Sequence, residues 1–242
     1  MKKKVLQILG WGSIVLGLCV VMGFVRVENQ NKICEQVEIE IDYSSGHYFV
    51  EPEHIHGLVK KEGIFLTGKP LFAIDFQLLE DLVFTNQYVK DVQVYSTLSG
   101  NLKIRIKQRR PIVRVMAPKT GDYYLDENGL KMPASNTYTA RVLVANGNVE
   151  MIPMEDLTML ATFVNKNKFW KSQISQIYVD WTGEIQMIPR VGSHKIILGD
   201  CIKLDQKFKK LYAFYKDGLN KIGWNKYKTI DLKFKGQIVC KK

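Results

Sequence analysis

Cysteine and histidine are both scarce in this chain, four of each in 242 residues, and each scarcity narrows the chemistry. Cys19 falls in an apolar N-terminal run, which leaves Cys34, Cys201 and Cys240. An odd number of thiols does not encode a disulfide framework. We read them as buried free thiols, with a Cys201–Cys240 bridge as the alternative. His47, His54 and His56 crowd together with Glu51 and Glu53. Structural zinc needs four ligands, and catalytic zinc needs three with an open position. His54 and His56 lie two apart on a predicted helix and so face different directions. No metal site is expected; acids at a helix start favour its dipole and account for the carboxylates.

Other chemistry is missing as well. Gly68-Lys69-Pro70 lacks the glycine spacing and the following Ser or Thr of a phosphate loop. No nucleophile elbow occurs, and no base can be assigned to Cys34. Asp126 and Glu127 sit next to Asn128-Gly129 and read as turn formers. There is no short-period repeat, no Pro/Ser-rich tract, and no series of alternating ten-residue strands such as a membrane barrel needs. Neither catalytic residues, a cofactor nor a small-molecule substrate is expected.

What is present begins with one long apolar run. Residues 5–25 carry no formal charge and follow Lys2, Lys3 and Lys4. At about 1.5 Å per residue such a helix spans roughly 30 Å, the hydrocarbon thickness of a bilayer. The flanking lysines are retained in the cytoplasm, so everything from Val27 to Lys242 is expected outside it. A cleaved signal peptide is the rival reading, but the run is too long and offers no small-residue cleavage pattern. Leu18 before Cys19 argues against a lipoprotein anchor.

The net charge of +11 is unevenly spread. Asp200 to Lys242 holds twelve Lys against four Asp, and Arg105, Lys107, Arg109, Arg110 and Arg114 form a second basic run. A tethered domain outside the cytoplasm seldom meets nucleic acid, so no nucleic-acid partner is expected. Acidic proteins or anionic envelope polymers fit that compartment better. The plainer reading is a solvated basic face.

Period-two alternation marks a strand over Val37 to Tyr43. A helix follows from Glu51 to Lys60, with Pro at its second position and Ile55, Leu58 and Val59 on one face. A second helix runs from Asp75 to Asn86, with Leu78, Leu79, Leu82 and Val83 spaced at three and four. Strands at Val89 to Val94 and Leu102 to Lys107 flank turn residues 96–101. This is β-α-α-β-β, a two-layer unit. Beyond Pro111, strands are expected at Ile112–Met116, around Tyr123–Leu125, and at Val142–Val144, Ile174–Asp180, Glu184–Ile188 and Lys195–Leu198. Helices are expected at Met154–Asn165 and Leu204–Leu219. Finally Ile230, Leu232, Phe234, Gly236, Ile238 and Cys240 share one parity, which predicts one long amphipathic strand.

Several segments taken in order are familiar: Gly68-Lys-Pro-Leu-Phe-Ala-Ile-Asp75, Val89-Lys-Asp-Val-Gln-Val94, Leu102 through Ile112, Tyr123 through Gly129, Ile196-Ile-Leu-Gly199 and Ile230 through Val239. Together they resemble the FtsQ/DivIB family of bacterial division proteins. The resemblance implies an α+β fold: a short cytoplasmic tail and transmembrane helix over 1–27, a POTRA-like module over 33–110, and a mixed β-rich domain with two helices over 111–242. It implies a non-catalytic inner-membrane scaffold of the divisome, periplasmic beyond its anchor, that binds FtsB/DivIC-like and FtsL-like partners at the septum. By the same resemblance, Leu232, Lys233, Phe234, Gly236 and Ile238 are the partner-binding residues. The competing readings are a POTRA-bearing translocation or assembly factor and a tethered envelope hydrolase or metal-dependent enzyme.

Overall fold

A computed structural model describes residues 11, 12, 14–20, 22, 32–118 and 121–242. Within the predicted span 5–25 the described residues are helical, and the others lie outside the described residues. No helix among the described residues is long and apolar enough to cross a membrane. The chain divides into two compact units, one through Gln108 and one from Arg109.

The first unit holds strands β1 (Val37–Asp42), β2 (Val89–Ser96) and β3 (Leu102–Gln108) and helices α1 (Pro52–Lys61) and α2 (Phe76–Phe84). The sheet order is β1-β3-β2, with β1 parallel and β2 antiparallel to β3. A parallel pair needs a crossover, and the two helices lie within it. Alternation on β3 puts Leu102, Ile104 and Ile106 in the core with Ile55, Val59, Leu79 and Val83 of the helices. Lys103, Arg105 and Lys107 occupy the opposite parity of that strand, where Glu40 of β1 meets Lys103 at 2.9 Å and Arg105 at 3.4 Å. Asp75 caps α2 by accepting the Leu78 N–H at 3.0 Å. Leu78 itself faces solvent, contrary to its place in the expected apolar stripe. Val89 is out of phase with Val92 and Val94 because a bulge at Lys90 shifts the register. At the far end of β3, buried Gln108 accepts the Phe49 and Val50 N–H groups, each at 2.9 Å. It donates to the His47 carbonyl at 3.0 Å. One side chain thus satisfies a loop that the sheet does not.

The second unit is built on a nine-stranded sheet of order β12-β11-β10-β9-β8-β7-β4-β5-β6. Its strands are β4 (Pro111–Ala117), β5 (Gly121–Asp126), β6 (Lys131–Pro133), β7 (Leu143–Gly147), β8 (Ile174–Val179), β9 (Ile185–Pro189), β10 (Lys195–Gly199), β11 (Thr229–Asp231) and β12 (Val239–Lys241). Helices α3 (Met154–Lys166) and α4 (Lys168–Gln173) join parallel β7 and β8, and α5 (Leu204–Ala213) lies between parallel β10 and β11. Leu157, Leu160, Ala161 and Val164 of α3 are buried as their spacing predicts. They share a core with Trp170, Ile177, Met187, Leu198, Phe208 and Leu211.

The β5–β6 turn is set by a part-buried ion pair. Asp126 accepts from Arg109 Nε at 2.9 Å and from the Asn128 and Leu130 N–H groups, each at 2.9 Å. The Arg109 guanidinium also reaches the Leu130 and Lys131 carbonyls at 3.1 and 3.0 Å. Strand β6, which follows this turn, has only three residues and no periodicity to reveal it. Helix α4 was also not expected: Asn167 leaves the helical region after α3, and its side chain then caps the next turn through Phe169 and Trp170.

Two further differences concern the C-terminal region. Past Ala213 the predicted helix widens into a π-helical stretch, Phe214–Leu219, which carries Tyr215 inward. Tyr215 hydroxyl and His194 Nε2 lie 2.8 Å apart in the buried layer, edge-on to one another. The expected single strand 230–240 is instead a hairpin. β11 ends at Asp231, the chain reverses around Phe234–Gly236, and β12 returns antiparallel with Cys240 opposite Ile230. Gly236 adopts φ +73°, a conformation that costs most residues and glycine little.

All four cysteines are free, so the alternative Cys201–Cys240 bridge is not formed. Cys34 and Cys201 are buried and Cys240 is half-buried, and burial pushes the Cys201 thiol up to about 12.

Burial also holds the His194 imidazole below its ordinary value. In the unfolded chain a histidine takes up its proton near pH ~6.5. Below that pH the unfolded state binds more protons than the folded one, so stability falls as pH falls. The second unit should therefore lose urea resistance between pH 7.5 and 5.5, read by the fluorescence of Trp170, Trp181 and Trp224. His194→Gln should flatten that loss. An unfolding midpoint independent of pH across this window would contradict the assignment.

Candidate functional site

The C-terminal hairpin forms one end of the large sheet. β11 pairs with β10 in parallel register, Ile196 opposite Ile230, and β12 is the terminal strand of the order. Its outer side has no strand neighbour among the described residues. An edge of this kind presents unpaired N–H and C=O groups at β spacing and can template another strand.

The reversal between β11 and β12 is held from the helix side. Lys210 of α5 donates to the carbonyls of Phe234 at 2.6 Å, Gln237 at 3.0 Å and Leu232 at 3.3 Å. An ammonium has three donors and no acceptor, so one lysine can satisfy three converging carbonyls. Desolvation, with nearby Lys207 adding to it, holds Lys210 below the ordinary lysine value. Lys207, one turn earlier, closes the preceding loop through the Leu198 and Asp200 carbonyls at 2.9 Å each and through the Asp200 carboxylate. That hydrogen bond from Lys207 is the main cause that lowers the Asp200 pKa.

The five residues expected to bind a partner do not share one surface. Leu232 is 1% exposed and belongs to the core. Lys233 lays its stem across Gly199, where a Cβ would come 2.7 Å from Lys233 Cγ. Its ammonium pairs with Glu184, which raises its pKa. Phe234 is 44% exposed at the reversal, and Gly236 is exposed beside it. Ile238 is half-buried and packs against the core. The structure therefore brings Phe234 and Gly236 together at the surface and commits the other three, wholly or partly, to the unit itself.

Residues that sequence reasoning passed over complete the surface. A groove of about 690 Å³ lies between the hairpin, α5 and the loop before it. Ile202, Lys203, Lys207, Lys210, Leu232 and Phe234 line it. Its lining mixes apolar side chains with lysines. The twelve lysines of residues 200–242 were the available signal, but their count does not reveal that Lys207 and Lys210 turn toward the hairpin.

Replacing Lys210 by Met keeps most of the stem and removes three hydrogen bonds. The expected cost is about 1.5–3 kcal/mol, the range for bonds to a charged group. Amide hydrogen exchange should rise over residues 232–241 and stay unchanged in the first unit. Unchanged protection across the hairpin would show that the clasp does not hold it.

Comparison with known proteins agrees with this architecture. The family described as FtsQ/DivIB, C-terminal related, matches residues 110–241. A POTRA-like domain matches residues 32–107. The chain is also similar to the cell division protein FtsQ of Rhodothermus marinus (strain ATCC 43812 / DSM 4252 / R-10). The two are 24% identical over 251 residues, covering 99% of this chain and 88% of that protein. The first of these matches spans more than half of the chain, which therefore belongs to the FtsQ/DivIB family.

Proposed function

We propose that this protein is a non-catalytic cell-division protein, a scaffold of the divisome anchored in the inner membrane by residues 5–25. Its two units stand in the periplasm, and the second captures FtsB/DivIC-like and FtsL-like partners during septum formation. The observation that carries this reading is the open outer side of β12 next to exposed Phe234, in a chain whose similarity to a division protein runs over 99% of its length.

Strand addition suits that edge. Backbone hydrogen bonds supply affinity and side chains supply choice. The groove beside Phe234 accepts an apolar anchor, and Lys203, Lys209 and Lys235 around it favour an acidic segment, Lys207 and Lys233 being paired already with Asp200 and Glu184. Val239, Cys240 and Lys241 are the backbone contacts of this proposal, with Phe234 and Gly236 at its margin. Lys233 contributes by holding the hairpin against Glu184, and Leu232 and Ile238 by packing beneath it.

A photo-crosslinking residue at position 234 in living cells tests the reading. The expected product is a small acidic membrane protein of the division machinery, and depletion of the chain should give filamentous cells. Phe234→Ala should reduce recovery of that partner from detergent extract and leave the fold intact. Normal septation on depletion with an altered envelope polymer would point to an envelope enzyme, and capture of outer-membrane assembly proteins to a translocation factor. Either result would replace the proposed function.

A further inference from the structure

At one end of the first unit, three segments joined by hydrogen bonds each expose a large hydrophobe. β1 and β3 run parallel with Val37 opposite Leu102. The start of β1, the start of β3 and the β2–β3 turn therefore lie at one end of the sheet, and Asp42 and Gln108 at the other. Hydrogen bonds tie the incoming chain to that first end. Leu71 N–H donates to the Lys32 carbonyl at 2.9 Å, and Cys34 N–H to the Lys69 carbonyl at 2.8 Å. Lys32 Nζ donates to the Leu98 carbonyl at 2.9 Å, and Ile33 bridges Pro70.

Three segments distant in sequence are joined in this way, and each presents a large hydrophobe. Ile33 is 50% exposed, Phe72 71% and Leu98 90%. A single exposed hydrophobe is ordinary. Three on joined segments with an exposed lysine, Lys69, among them mark an interaction surface.

The chain's connectivity indicates what that surface meets. The apolar run ends at Val25, and six residues, 26–31, separate it from Lys32. An extended chain gains at most about 3.5 Å per residue, so this end of the unit lies within about 25 Å of the run. We propose that it rests on the membrane that anchors the chain. Ile33, Phe72 and Leu98 enter the headgroup–acyl boundary, and Lys32 and Lys69 meet anionic lipid phosphates. Apolar side chains beside cationic ones suit that layer. Lys32 uses one of its three donors on Leu98, which fixes the tip of the turn and leaves two for phosphate. The chain leaves the unit from the opposite end, at Gln108. The inference rests on the membrane-anchored reading above.

The test uses the full chain in lipid nanodiscs containing phosphatidylglycerol, with a benzophenone amino acid at position 72 or 98. Position 48, half-exposed and at the far end, is the control. Lipid adducts are expected in excess at 72 and 98. Lys69→Glu should lower them about five-fold, the effect of one basic residue near an anionic surface. Exchange of phosphatidylglycerol for phosphatidylcholine should lower them too. Equal lipid adducts at all three positions, or adducts in cells at 72 and 98 to a protein and not to lipid, would overturn the inference while leaving the anchor in place. Loss of the chain from the nanodisc fraction would instead remove the anchor itself, and with it both this inference and the tethered scaffold.

Discussion

The C-terminal end of this protein depends on one ammonium group. Between β11 and β12 the chain turns back within a few residues, and three carbonyls of that reversal point at α5. Lys210 meets all three. Without such a donor the Phe234 and Gln237 carbonyls would turn to water, and the part-buried Leu232 carbonyl would lose its partner, which is the costlier loss. The helix thus determines where the hairpin stands, and the hairpin determines where the sheet ends. Lys233 acts from the other side, stretched over Gly199 toward Glu184. The short terminal strand is pinned by cations at both margins.

Its position explains why so open an edge is tolerated. β12 has three residues and carries Lys241, and Lys242 follows it. Short length and lysine both discourage indiscriminate strand pairing. Like charge repels a second copy of this edge, whereas an acidic strand meets no such repulsion.

Two consecutive residues organise the start and finish of the two units. Gln108 closes the loop after β1 through backbone bonds in the first unit. Arg109 closes the β5–β6 turn through Asp126 in the second. Neither role was visible in the sequence, where the stretch reads as the end of an amphipathic strand and part of a basic run. A buried polar side chain is chosen for the carbonyls and N–H groups it must meet, and those come from residues 21 to 66 positions away.

The legible parts were those whose burial follows a local period. The β-α-α-β-β order, the buried face of α3 and strands β3 and β4 could be read directly, because each presents one apolar side to a core. Short elements were not legible: three-residue β6 and six-residue α4 contain too few positions to establish a period. The C-terminal segment departs from its expected strand for a different reason. Its alternation is real, yet Lys-Phe-Lys-Gly alternates equally well in a strand and in a turn, so the pattern could not choose between them.

The sequence by itself determined the long apolar run, the βααββ order and the buried faces of the most regular helices and strands. Those follow from hydrophobic periodicity, which acts over one or two turns of chain. Only the tertiary structure decided that residues 230–241 fold back, that Leu232 is core, that Lys233 is already paired and that Phe234 stands beside a basic groove. Each of these depends on a partner brought from another element, Lys210, Gly199 or Glu184, and no local pattern records which distant residue will stand opposite.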